Sequence, residues 1–193
     1  MGSQQPVGGR PRNFRLTGRS LARNQALQIL FQAEACNRSA EDVLSGEFVL
    51  GFDAASDDDN TLPAGPLDPY AEYLALGVDE YRHELDEVIS SASENWSISR
   101  MSAVDRNLLR VAVFEMREST EVEPSVAISE AVELAKSYGT DESSAESAKF
   151  VNGVLGRIAA DMGVPYVPAE VRAYEEGFSS DEANAPDAAE PKE

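Results

Sequence analysis

The chain has 193 residues, which is enough for one ordinary domain with tails, and a formal charge of −19 at pH 7. That charge argues against general nucleic-acid binding, because binding to phosphates depends mainly on Lys and Arg. The single cysteine, Cys36, cannot form an internal disulfide, no secretion signal stands at the start, and no apolar stretch approaches the roughly 20 residues of a membrane helix. These features predict a soluble cytoplasmic protein.

The charge is unevenly distributed. Residues 1–35 carry five arginines and one acid, a net charge of +4, whereas residues 40–69 carry eight acids and no base. Residues 166–193 carry eight acids and two basic residues, a net charge of −6. This asymmetry predicts an anion-binding end on a molecule that otherwise repels polyanions. The alternative, from charge alone, is that a few arginines merely precede a helix.

The first third of the chain predicts an arm, two helices and a loop. Residues 1–17 are rich in Gly, Pro, Gln and Arg, which predicts a flexible arm. A first helix is predicted from about residue 20, and Ser39 is the expected N-cap of a short second helix. Residues 51–69 combine aspartates with prolines and predict an acidic surface loop. The apolar residues on one face of the first helix are Ala22, Ala26, Ile29, Leu30 and Ala33.

Four further helices follow the acidic loop. The spacing of apolar residues predicts a long helix over about 70–93. The segment 104–116 is apolar nearly all round and predicts the buried centre of a bundle, with a narrow polar strip of Arg106, Arg110 and Arg117. The next helix runs from Pro124 to about Gly139.

The last predicted helix covers about 146–162 and is stopped by Gly163 and Pro165. The acidic tail, 166–193, is poor in large apolar residues and is predicted to be disordered. No strand pattern and no internal repeat is found. The predicted fold class is all-α, with one domain of packed helices over 18–165.

The sequence does not contain the usual residues of an active site. His83 is the only histidine, and no cysteine or second histidine stands near it to complete a metal site. Phosphate-binding loops, dinucleotide-binding glycine motifs and nucleophile elbows are missing from the sequence. We therefore expect no catalytic residues, no metal ligands and no cofactor.

Arg23, Leu27 and Phe31 form a row on the first helix that lies off its apolar stripe at about 100° per residue. This places Phe31 at the margin of the core or outside it. Arg19 lies one turn before Arg23, so both guanidinium groups are predicted to point toward the same phosphates. The alternative is that Phe31 belongs to the core and the arginines are solvated.

On the last helix Glu146, Phe150 and Gly153 lie on a flank of the core stripe. An acid and an aromatic one turn apart, beside a glycine, predict a docking surface. The alternative is that Gly153 and Gly156 mark tight packing within the same molecule. The predicted core stripe of this helix consists of Val151, Val154, Leu155, Ile158 and Met162.

Four ordered segments carry a resemblance to a known family. They are ARNQALQILF at 22–31, VDRNLLRVAVFEM at 104–116, VAISEAVELAK at 126–136 and KFVNGVL at 149–155. Together they resemble the NusB family of bacterial transcription antitermination factors over about residues 18–164, and the approach to the central helix is similar to that of actinobacterial members.

The resemblance implies an all-α bundle of about seven helices in two small helical subdomains. It implies binding to the boxA element of ribosomal RNA leader transcripts together with NusE, a small-subunit ribosomal protein. The pair would join other Nus factors on RNA polymerase and suppress premature termination, with no catalysed step. A homodimer is possible.

Individual positions follow from the same resemblance. The family's RNA-contacting positions correspond to Arg19, Arg23, Ser147 and Lys149, and its NusE-facing positions to Phe31, Asp105, Glu146 and Phe150.

Two features depart from the family pattern. Ser20 and Leu21 stand where richer arginine clusters occur, so that Arg10, Arg12 and Arg15 would have to compensate. The connection over 139–149 is longer than usual, which affects the alignment of Glu146.

Two alternatives remain from the sequence. One is a protein-only assembly scaffold or homodimer that has lost RNA binding. The other is a substrate-recognition domain related to rRNA cytosine methyltransferases, although those carry a catalytic domain after the helices.

Overall fold

Helices make up the regular structure of the residues that the computed structural model describes, which are 18–46, 66–93, 96–139 and 141–164. In chain order they are α1 (Gly18–Cys36), α2 (Ala40–Ser45), α3 (Pro69–Glu80), α4 (Arg82–Ala92), α5 (Ala103–Glu118), α6 (Pro124–Tyr138) and α7 (Asp141–Asp161), with one 3-10 turn at Ile98–Arg100. The prediction of an all-α fold with about seven helices is confirmed.

The predicted terminal segments and most of the predicted acidic loop lie outside the described residues. These are the arm 1–17, the part of 51–69 that precedes residue 66, and the tail 166–193. In the described part, no helix is both long and apolar enough to cross a lipid bilayer.

The chain forms two units that divide between Glu80 and Tyr81. The first contains α1, α2 and α3, with α1 packed against both of the others. The apolar face predicted for α1 is fully buried there, together with Leu74 and Val78 of α3. Each large apolar side chain removed from water contributes about 1.5–3 kcal/mol, so the burial of Ile29, Leu30, Leu74 and Val78 stabilises the unit.

A capping box fixes the start of α2, and the predicted role of Ser39 as its N-cap is confirmed. The Ser39 hydroxyl accepts from the backbone N–H of Asp42 at 3.0 Å, and the Ser39 N–H donates to the Asp42 carboxylate at 3.3 Å. The Ala40 N–H donates to Oδ2 of Asp79 on α3 at 2.8 Å. Three backbone donors at the start of this short helix are therefore satisfied by side chains, and Asp79 ties α2 to α3.

The start of α3 is held by a buried glutamine of α1. Gln25 donates from Nε2 to the Pro66 carbonyl at 3.0 Å and accepts at Oε1 from the Asp68 N–H at 2.9 Å. Asp68 in turn accepts from the Tyr70 N–H at 2.8 Å, while Pro69 occupies the first helical position. An aspartate before the first helical residue, followed by proline, favours the start of a helix. Because Gln25 of α1 holds this segment, α1 also fixes where α3 begins.

The single helix predicted over 70–93 is wrong, because the chain breaks at Tyr81. This residue has φ −97° and ψ 20°, and its carbonyl accepts the first hydrogen bond of α4 from the Leu85 N–H at 3.0 Å. Neither glycine nor proline marks the break, and the apolar positions continue in one helical register across it. The buried residues that keep this register are Leu74, Val78, Leu85 and Ile89.

The second unit is built around α5, which packs against α4, α6 and α7. Every residue of α5 from Asn107 to Met116 is buried, so the prediction of a buried central helix is confirmed. A helix covered on several sides needs apolar residues around most of its circumference, which is the pattern that the sequence shows.

The polar strip of α5 makes internal bonds at two of its three arginines. Arg110 is buried and pairs with Asp86 of α4 through two bonds, Nε to Oδ1 at 2.7 Å and Nη2 to Oδ2 at 2.8 Å. Its Nη1 also donates to Oδ1 of Asn107 at 3.0 Å. Arg106 donates from Nη1 to the carbonyls of Ile98 and Met101, each at 2.8 Å. The first arginine joins α4 to α5, and the second holds the 3-10 turn.

The last helix begins at Asp141, about five residues earlier than predicted, so residues 141–149 of the long connection are helical. The small and polar residues of this segment give a weak apolar pattern, so the sequence did not mark the helix start. Gly139 allows the close approach of α7, since a Cβ there would collide with the backbone of Ser144. The Ser144 hydroxyl donates to the Lys136 carbonyl at 2.6 Å.

The core stripe of α7 is confirmed except at its last member. Met162 lies beyond the helix and is exposed. Gly163, with φ +70°, donates to the Ala160 carbonyl, and Val164 donates to the Ala159 carbonyl, each at 2.9 Å. This pair of bonds around a left-handed glycine ends the helix before Met162 can continue the stripe.

Candidate binding surfaces

Arg19 lies at the start of α1 and is exposed. Its guanidinium carbon stands 3.7 Å from the centre of the Tyr70 ring, a cation–π contact. Tyr70 is stacked with Tyr73, with 5.8 Å between ring centres and an interplanar angle of 22°. Tyr73 is 44% exposed. We call this group of Arg19, Tyr70 and Tyr73 the tyrosine platform.

The residues Arg23, Leu27 and Phe31, predicted to lie off the core face of α1, differ in exposure. Phe31 is 44% exposed, as predicted, whereas Arg23 is 4% exposed and Leu27 is fully buried. Because α2 and α3 both cover α1, its buried arc is wider than a single stripe. The expectation that Arg23 is exposed like Arg19 is therefore wrong, and Arg23 interacts with other groups of the chain.

Two residues predicted for different ligands meet at the start of α7. The Ser147 hydroxyl donates to Oδ1 of Asp105, in the first turn of α5. Asp105 donates its backbone N–H to the Ser102 hydroxyl, which caps α5, at 3.0 Å. Lys149, the other predicted RNA contact on α7, is exposed. The structure therefore joins Asp105 and Ser147 into one polar contact.

Phe150 packs against Trp96, with ring centres 5.9 Å apart and planes inclined at 56°. Trp96 is 54% exposed although it is the largest aromatic side chain in the protein. Its backbone is held by Ser93: the Trp96 N–H donates to the Ser93 carbonyl at 3.1 Å, and the Ser93 hydroxyl lies 3.2 Å from the Trp96 carbonyl. An exposed aromatic residue on a fixed backbone is typical of a recognition surface.

Gly153 leaves an open space next to Phe150 on the flank of α7. No described atom lies within 4 Å of a Cβ built on this glycine, so the alternative of tight packing within the molecule is wrong for Gly153. Glu146, one turn before Phe150, is exposed. We call Trp96, Glu146, Phe150 and Gly153 the α7 patch.

Sequence reasoning did not assign a ligand to Trp96, Tyr70 or Tyr73. One signal was present for each: Trp96 is a large aromatic residue flanked by polar residues, and the two tyrosines are spaced three apart on one helix. The decisive information, which is the contact with Phe150 in one case and with Arg19 in the other, depends on residues about 50 positions away.

Side chains that ligate metals are not grouped in the part of the chain that the structure describes. Among the described residues, no group of three His, Cys, Asp or Glu side chains is placed to hold a metal ion. His83 is exposed and lies 3.5 Å from Oε1 of Glu87, one turn along α4. The chemistry that the surfaces do present consists of aromatic faces, cationic groups and carboxylates, all of which suit binding.

Fold and surfaces together define an all-α protein with exposed aromatic and charged contact surfaces. The chain belongs to the NusB family, whose sequence model matches residues 20–160. It is 41% identical over 144 residues to the transcription antitermination protein NusB of Salinispora arenicola, covering 75% of this chain and 96% of that protein. Identity to the protein of the same name from Myxococcus xanthus is 35% over 147 residues, covering 76% and 98% respectively.

Solved structures agree with this assignment. The chain is similar to NusB of T. maritima, with a TM-score of 0.59 and 34% identity, over 81% of this chain and 98% of that one. It is also similar to a chain in the crystal structure of antitermination factors NusB and NusE in complex with dsRNA, with a TM-score of 0.57 and 27% identity, over 74% and 96%. The predicted family and its fold are confirmed.

Proposed function

We propose that this protein is a transcription antitermination factor that binds boxA RNA of ribosomal RNA leader transcripts together with NusE. In this role it joins the other Nus factors on RNA polymerase in the bacterial cytoplasm, suppresses premature termination and catalyses no reaction. Family membership supports the proposal, and so does the similarity to a NusB crystallised with NusE and dsRNA. The observation that carries it is the α7 patch.

The α7 patch has the chemistry of a protein-binding site. Interface energy is concentrated in a few aromatic anchors, and Trp96 with Phe150 supplies two in contact. The space over Gly153 admits the backbone of a partner, and Glu146 suits a basic one. We assign this patch to NusE, with Asp105 beside it. Phe31 belongs to the other unit, and its exposure supports its predicted role as a further NusE contact.

Of the four predicted RNA contacts, two are exposed and two are buried or hydrogen-bonded within the protein. Arg19 and Lys149 are exposed cations, which suits them to phosphate oxygens. Arg23 is buried and the Ser147 hydroxyl donates to Asp105, so each would have to reach RNA from within an internal contact. We therefore regard Arg19 and Lys149 as the stronger candidates for RNA contact, and RNA contact by Arg23 and Ser147 stays a prediction.

The domain organisation forms part of the proposal. A helical domain over 18–165 carries the contacts, and the arm 1–17 adds Arg10, Arg12 and Arg15 to the electrostatic attraction for RNA. The acidic loop at 51–69 and the acidic tail at 166–193 repel polyanions, which limits unspecific binding.

The proposal is tested by the affinity of the purified protein for a boxA-containing RNA and for a scrambled RNA, with and without NusE. We expect selective binding to boxA that tightens when NusE is added. Trp96 is the only tryptophan, so its fluorescence reports independently on a partner that covers the α7 patch. Equal affinity for both RNAs in both conditions would contradict RNA recognition and favour a protein-only scaffold or homodimer, which sedimentation of the protein alone would detect.

Arg19→Ala should weaken binding to every RNA sequence and lower the dependence of affinity on salt by about 0.7 in logarithmic slope, the value for one phosphate contact on a single strand. The unfolding midpoint should change little because Arg19 is exposed. The measurement is a salt titration of RNA affinity, with Arg117→Ala, an exposed arginine of α5 that carries no predicted contact, as control. An unchanged slope for Arg19→Ala would remove Arg19 from the site.

A further inference from the structure

The tyrosine platform combines an exposed aromatic face with a held cation. Arg19 lies over Tyr70 at 3.7 Å, Tyr70 stacks with Tyr73, and Tyr73 is 44% exposed. Of the three residues, only Arg19 has a role in the function proposed above, as a phosphate contact. The two tyrosines remain without one, although Tyr73 is exposed and the half-buried Tyr70 holds the guanidinium group.

The backbone beneath the platform is fixed from α1. Tyr70 donates its N–H to the Asp68 carboxylate at 2.8 Å, and the Asp68 N–H is itself bound to Oε1 of the buried Gln25 at 2.9 Å. Tyr73 stands one turn further along the same helix. A tyrosine has only two side-chain torsions to order, so a ring presented from a fixed helix binds a flat ligand with a small loss of conformational entropy.

The ligand that matches this arrangement is an unpaired nucleobase with its phosphate. Bases of single-stranded RNA stack on tyrosine rings and on guanidinium planes, and the neighbouring phosphate is attracted by the arginine. Paired bases are already stacked in the duplex and do not present their faces. We propose that Tyr73, supported by Tyr70 and Arg19, stacks an unpaired base of bound RNA. This inference rests on the RNA binding proposed above and adds a site that stacks a base.

The test compares two oligonucleotides of equal length and charge, an oligoadenylate and an abasic ribose-phosphate strand, against the full protein. Stacking of one base favours the first by about tenfold. Tyr73→Ala should remove this preference while leaving binding to the abasic strand unchanged, and Tyr73→Phe should keep it. Arg19→Ala should weaken binding to both strands. Tyr81→Ala, an exposed tyrosine of the other unit, is the matched control and should behave like the wild type.

The outcomes separate this inference from the function on which it rests. If the wild type shows no preference for boxA over scrambled RNA, but prefers bases over abasic sites through Tyr73, the boxA function fails and the platform stands. If the wild type selects boxA and Tyr73→Ala keeps the full base preference, the platform is wrong and the function stands. A wild type that binds both oligonucleotides equally, or neither, also overturns the platform.

Discussion

Asp86→Ala should lower the free energy of unfolding by about 3 kcal/mol. Asp86 forms two bonds to Arg110, whose side chain is only 7% exposed. Removing one partner of a buried ion pair costs about 3–5 kcal/mol, because the remaining charge loses the group that balanced its desolvation. The lower end applies because the Asp86 side chain is 26% exposed and its field is partly screened by water.

Urea denaturation, followed by far-UV circular dichroism, measures this effect. Glu87→Ala is the control, since Glu87 is the next residue of α4 and its carboxylate is largely exposed. Adding Arg110→Met to Asp86→Ala should recover part of the loss, because an apolar residue of similar length removes the buried charge. Equal unfolding free energies for Asp86→Ala and Glu87→Ala would show that the pair does not hold α4 to α5.

Phe150→Ala should weaken NusE binding about 30-fold, the effect of losing a hot spot worth about 2 kcal/mol. The substitution removes the ring that supports Trp96, so both anchors of the α7 patch are affected. RNA affinity measured without NusE should remain unchanged, since Phe150 carries no charge for phosphate. The fold should persist because Phe150 is only half-buried.

The measurement is NusE affinity by isothermal titration calorimetry, with Val126→Ala as control for loss of an exposed apolar side chain in the same unit. Gly153→Ala adds a stricter test of the geometry. Alanine in an exposed helix position raises stability by about 1 kcal/mol over glycine, so this variant should be more stable and yet bind NusE less well if a partner backbone approaches there. Wild-type affinity in Phe150→Ala would place NusE elsewhere.

The core could be predicted from the sequence because burial follows helical periodicity. The apolar face of α1, the surrounded α5 and most of the α7 stripe show this directly. The break at Tyr81 could not be predicted, since apolar residues continue in register on both sides of it and the deviation lies only in its backbone torsions. The early start of α7 was missed for a related reason, because small serines and alanines form a helix without marking a core face.

The candidate surfaces were predicted where a single helix determines exposure and missed where a distant residue does. The exposure of Phe31 follows from its angle on α1. The burial of Arg23 does not, because α2 and α3 together cover more of α1 than one stripe. The contacts of Trp96 with Phe150 and of Ser147 with Asp105 join residues far apart in the chain, and no local pattern encodes such pairings.

Substitution of Gly139 would disturb these surfaces although Gly139 lies outside them. Any other amino acid would bring its Cβ into collision with the backbone of Ser144, so the start of α7 would have to move. Glu146, Lys149 and Phe150 follow on the same helix and would be displaced with it. A substitution at Gly139 should therefore weaken partner binding although every residue that contacts the partner is unchanged. Genetic screens for loss of antitermination should find such alleles beside those of the contact residues.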